Sequence, residues 1–218
     1  MALGVTPAPP LDVFVTSDVD FLGSKAVAKE LAERLHAELM LPSADDPVQV
    51  NSAMLVLRDA RAGTVLVDFL NEVMGVESSK VKQRAQEVEA FGTTFLVMHP
   101  VDCLASRIAN LQSLPQKRNE FGIAQARLSI EIVRRFIEKV ARDGNVRHAL
   151  DLSEFVGRLA RGRAAAQVSG EFAIDVLAAI PVNALPRAFV EKQWPHLVSR
   201  AARKAKPYAK RGKPPSGG

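Results

Sequence analysis

Polar and apolar residues alternate from Asp12 to Leu22. Val13, Val15, Val19 and Phe21 share one side of an extended chain, and Asp12, Thr16, Asp18 and Asp20 share the other. The pattern predicts a strand with a carboxylate face. Gly23 and Ser24 end it, and in SKAVAKELAERLHAEL the period lengthens, with Val27, Leu31, Leu35 and Leu39 predicting an amphipathic helix. A polar, Pro-containing stretch, LPSADDP, leads to NSAMLVLRD and, across ARAG, to TVLVDFL. Two β-rich runs joined by a short Gly-containing turn predict a hairpin in which Val65, Val67 and Phe69 take one face and Asp68 the other.

FGTTFLVMHP predicts a short last strand, stopped by Pro100. Helical periodicity then takes over: Leu104, Ile108 and Leu111 mark one helix, and Ile130, Val133, Ile137 and Val140 a longer one. Weaker periodic stretches cover Leu150 to Leu159, Phe172 to Ile180 and Ala188 to Ala202. The expectation is an α/β (α+β) protein: a short mixed sheet flanked by helices over residues 1–100, and a helical region over 101–203 packing on it. Residues 204–218, KAKPYAKRGKPPSGG, combine Pro, Gly and like charge and are expected to form a disordered basic tail.

The chain of 218 residues, 47% hydrophobic and 24% charged, is long enough for a sizeable core. Its formal net charge of +5 comes from the end of the sequence, since Arg200 to Gly218 holds seven Lys and Arg and no acid. A lone cysteine, Cys103, excludes an intrachain disulfide framework and fits a reducing cytosol. MALGVTPAPP lacks the charged and apolar regions of a signal peptide. No apolar run approaches the roughly twenty residues that span a bilayer. A soluble cytoplasmic protein with no membrane partner is the expectation.

Carboxylates placed inside strand patterns need compensation, because an unpaired buried charge is costly. Asp18 and Asp20, two residues apart on a strand, project the same way and suit one or two hard cations, magnesium above all. Asp68, from a second strand, would join them if that strand lies beside the first. With cations bound, such a cluster lowers the pKa of an attacking hydroxyl and clamps a leaving phosphate, Asp68 assisting the deprotonation. The same aspartates equally suit a helix cap or a solvated strand edge.

The order TSDVDFLGS, a helix, a hairpin whose second strand carries VLVDFL, then MHPVDCLASRIANL and a helical half resembles the nucleotidyltransferases of the DNA polymerase beta superfamily. The likeness is greatest to bacterial abortive-infection and toxin-antitoxin toxins, and covers about two thirds of the chain, roughly Leu3 to Lys139. It implies a magnesium-bound nucleoside triphosphate as substrate and transfer of a nucleotidyl group to an RNA end, such as that of tRNA, or to a protein hydroxyl. It implies an antitoxin partner as well. Asp18 and Asp20 match the family's D-x-D metal ligands and Asp68 its third acid. Arg107, Lys117 and Arg118 stand where the family contacts nucleotide or acceptor, and Thr16 and Ser17 are grouped with Arg107 as nucleotide-binding residues.

The family pattern opens with a hydrophobic residue, Gly, then Gly or Ser; here Leu3-Gly4-Val5 puts Val5 in the small-residue position. Two alternatives therefore stay open: an inactive relative retained as a binding or regulatory module, and a metal-dependent phosphodiesterase using the same carboxylates. Other residues read as structural. Arg107 suits the rim of a core as well as a substrate contact, and Lys117, Arg118 and Glu120 a solvated loop. Cys103 reads as a small core residue and Trp194 as packing a helix end. His36, His99, His148 and His196 lack ligand spacing for zinc, and the glycines at 157 and 162 lack the strand-turn-helix context of a phosphate loop.

Overall fold

A computed structural model describes residues 18–42, 51–59, 63–90 and 92–209. The carboxylate-bearing run forms β1 (Asp18–Leu22), and Ser24 caps the helix that follows, α1 (Lys25–Leu35), by accepting the Val27 N–H. His36 stops α1 in a left-handed conformation, φ 50°, its N–H bonded back to Ala32 and Glu33. The chain then enters β2 (Glu38–Met40), β3 (Asn51–Asp59) and β4 (Gly63–Leu70).

These strands make a four-stranded sheet in the order β1-β4-β3-β2. β1 pairs parallel with β4, and the other two pairings are antiparallel. The hairpin read from NSAMLVLRD and TVLVDFL is β3–β4, with Leu55 opposite Val67 and Met54 opposite Asp68. One sheet face receives α1: Ala28 and Ala32 are buried with Ala53, Leu55, Val67 and Phe69. Phe21 stacks on Phe69 at 5.9 Å on the same side.

The helix face differs from the periodic expectation. Val27 and Leu35 are exposed, and Leu39 belongs to β2. Small residues let the helix approach the sheet closely, so Ala28 and Ala32 with half-buried Leu31 form the contact.

The described residues divide into two compact units between Gln83 and Arg84. Near that division lies the short α2 (Ser78–Arg84). The last strand expected from FGTTFLVMHP is β6 (Thr93–Val97). Instead of joining the larger sheet, it pairs with β5 (Gln86–Ala90) in a separate two-stranded hairpin whose turn holds Gly92 at φ 72°.

The second unit is otherwise helical: α3 (Pro100–Ser113), α4 (Glu120–Arg142), α5 (Val146–Ala160), α6 (Arg163–Phe172), α7 (Arg187–Lys192) and α8 (Trp194–Ala209). Leu104, Ile108 and Leu111 of α3 and Ile130, Val133 and Ile137 of α4 meet Val156, Val168 and Ile174 in one core, as the periodicity of α3 and α4 predicts. Trp194 packs at the edge of that core from the first residue of α8.

Phe172 to Ile180 is not one helix. Phe172 ends α6, Ala173 turns left-handed at φ 53°, and Asp175 caps a 3-10 turn over Val176–Ala179 by accepting the Leu177 N–H. The basic end also differs, because α8 continues to Ala209 through Pro207. Residues 204–209 are thus helical, their Ala and Lys being good helix formers, while 210–218 lie outside the described residues. No single helix among the described residues is long and apolar enough to cross a membrane.

Candidate carboxylate site on the four-stranded sheet

With α1 on one face of the sheet, alternation sends every second side chain to the other. The register between β1 and β4 then decides which acids meet. Asp20 pairs with Asp68, one residue beside the other on adjacent parallel strands. Neighbouring strands lie about 4.8 Å apart, so the two carboxylates rise from the sheet side by side. Asp20 is exposed and Asp68 half-buried. Asp18 opens β1 in register with Leu66; its side chain falls outside the described set.

A third side chain reaches this face through an irregularity. Met54 opposes Asp68, so strict alternation would turn Asn51 toward α1. A register shift between Asn51 and Ala53 places Asn51 opposite Leu70 instead. From there Asn51 Nδ2 donates to Asp68 Oδ1 at 3.1 Å. Ser52, buried in the bulge, has its hydroxyl 2.9 Å from the Gly23 carbonyl oxygen and 3.0 Å from that of Phe69. The Gly23 N–H donates to the Leu70 carbonyl at 3.1 Å, so the end of β1 is tied to both β3 and β4.

This face offers two adjacent carboxylates and an amide, all hard oxygen donors or their supports. Magnesium binds commonly through one or two carboxylates and keeps several waters, so the donor chemistry fits that ion. Among the described residues no group of three or more His, Cys, Asp or Glu is placed to hold a metal ion. Thr16, Ser17 and the Leu3-Gly4-Val5 turn lie outside the described residues.

Arg107, Lys117 and Arg118 belong to the helical unit. Arg107 is half-buried on α3. Its charge opposes, without overcoming, the effect of burial that pushes the Cys103 thiol up. Lys117 ends an exposed 3-10 turn, Pro115–Lys117. Arg118 is not in a free loop: it pairs with Glu171 and lies over the Phe172 ring at 5.3 Å.

The helical unit has a buried polar cluster that periodicity did not announce. Asp102 is wholly buried and receives Arg84 Nε at 2.9 Å and Nη2 at 2.5 Å. His99 caps α3 by accepting the Val101 N–H on Nδ1 and meets Phe136 edge-on at 5.0 Å. Burial lowers the His99 pKa, the Asp102 charge opposes this, and His148 and Arg84 lower it further. The signal available in the sequence was His99-Pro100 ahead of an apolar-periodic run with Asp102 in its first turn. No protein-family model, curated protein or solved structure matches the chain.

Proposed function

We propose that the four-stranded unit is the catalytic part of a nucleotidyltransferase that uses magnesium to move a nucleotidyl group from a nucleoside triphosphate to an RNA end or a protein hydroxyl. The observation that carries this reading is the register pairing of Asp20 with Asp68. Asp20 and Asp68, with Asp18, would hold magnesium, which supplies electrostatic stabilisation of the transferring phosphate. Asn51 holds the orientation of Asp68, and α1 packs on the β3–β4 hairpin that carries it, while β1 is held by its parallel pairing with β4. In this reading Asp68 also accepts the proton of the attacking hydroxyl.

The test is transfer of label from nucleoside triphosphates to total tRNA or protein with magnesium and the full chain, beside calorimetric titration of magnesium. Transfer and binding that vanish together in Asp20→Asn and Asp68→Asn are expected. Binding of neither magnesium nor triphosphate, with Asp20→Asn behaving as wild type, overturns the enzyme reading in favour of an inactive binding module, which Val5 in the small-residue position supports. Fragments released from RNA without added triphosphate would instead indicate a phosphodiesterase.

A further inference from the structure

From Lys192 onward the sequence contains no Asp or Glu, whereas Arg200, Arg203, Lys204 and Lys206 fall within α8. A helix turns 100° per residue, which separates the sides of α8 cleanly. Trp194, Leu197 and Ala201 lie along one side and pack on the helical core. Their approach is close: at Gly157 of α5 a Cβ would stand 2.8 Å from Leu197 Cδ2.

Arg203 and Lys206 lie on the opposite side and Arg200 on its flank, with His196 and Ser199 on the arc between them, and all are exposed. Elsewhere in this unit four helix arginines pair with an acid on their own helix. Arg134 and Arg135 pair with Glu131, Arg142 with Glu138, and Arg158 with Glu154. α8 carries no acid with which to do the same.

We propose that the outward side of α8 is a nucleic-acid docking surface, on which Arg200, Arg203 and Lys206 contact consecutive backbone phosphates. This rests on α8 alone and stands whether or not Asp20 and Asp68 hold metal. An arc of like charges rising about 4.5 Å per three residues along one helix suits a polyanion whose backbone winds past it. An anionic membrane fits less well, because an interfacial helix must sink its apolar side into the lipid. That side of α8 is already packed against protein. Contacts to phosphate position a nucleic acid without reading its sequence.

The experiment is fluorescence anisotropy of the full chain with a labelled RNA hairpin, a single-stranded RNA and a DNA duplex of equal length, from 50 to about 300 mM salt. Substituting Arg200, Arg203 and Lys206 together by Ala, which helices favour, is expected to weaken binding at least tenfold. The slope of log affinity against log salt should fall by about one per residue removed. Arg200→Lys with Arg203→Lys should keep most of the binding, and Lys25→Ala with Lys29→Ala on α1 should leave it intact. Unchanged affinity in the triple alanine variant overturns the proposal. So does stronger binding to phosphatidylserine vesicles than to any of the three nucleic acids, or complete loss on substituting only Lys210, Arg211 and Lys213.

Discussion

Arg84 closes on Asp102 with two side-by-side hydrogen bonds, at 2.9 and 2.5 Å, and Asp102 has no exposed surface. Two charges taken from water in this way are held by geometry, so removing one strands the other. Asp102→Ala should lower stability by about 3 kcal/mol in urea unfolding, and Arg84→Met combined with Asp102→Leu should recover most of that. If the double variant is as unstable as the single, loss of packing rather than an uncompensated charge is the cause.

His99 makes stability depend on pH. Its folded-state pKa lies below the unfolded value of about 6.5, chiefly through burial. As pH falls, the unfolded chain therefore takes up this proton first. The contribution is fully present above about pH 6.5 and is lost as pH drops toward the lower folded value. Urea midpoints should fall from pH 7.5 to 5.5, and His99→Asn, which keeps a capping acceptor, should show a smaller fall. Equal falls in both proteins would assign the effect to other groups.

Gly122 in the first turn of α4 marks a close approach: a Cβ there would lie 2.0 Å from the Lys117 carbonyl oxygen. Because the neighbour is backbone, it cannot rotate aside. Gly122→Ala should destabilise by about 1–3 kcal/mol or more, read as a lowered thermal midpoint. Gly157→Ala should do less damage, since the atoms it meets are the branched end of Leu197.

The Cys103 thiol, pushed up mainly by burial, stays protonated at neutral pH. Its alkylation by iodoacetamide at pH 8 should run at least tenfold slower in the folded chain than in urea. A native rate as fast as the denatured one would make this cysteine a reactive group instead of a packing one.

Asn51→Ala removes the amide that orients Asp68 without changing the pair of acids. On the proposed function, magnesium affinity should weaken about tenfold, as supporting hydrogen bonds to metal ligands typically require. Ser52→Ala in the same bulge should cost about 1 kcal/mol of stability, with affinity falling less.

The elements that were legible are those whose buried side chains are large. Leu104, Ile108 and Leu111, or Leu55 with Val67 and Phe69, announce their period because each carries a strong apolar signal. α6 buries Ala165, Ala166 and Val168, and α1 buries Ala28 and Ala32, so small residues hide the face that counts. β5 was missed because QEVEA has one β-branched residue among two glutamates. Alternation gave the face of Asp68 but not its register with Asp20, which depends on where β1 docks. Asn51 was invisible as a site residue because a bulge reverses the parity that its sequence position implies.

β1 lies at the edge of its sheet, and its pairing with β4 closes a loop through α1, β2 and β3. The β3–β4 hairpin closes a short loop and the β1–β4 pairing a much longer one, so the edge strand has the larger chain entropy to overcome in docking. Any ligand gripping Asp20 and Asp68 together fastens that strand by mass action, and amide protons along β1 should exchange more slowly in its presence. On the proposed function, edge docking and ligand occupancy are then one linked equilibrium.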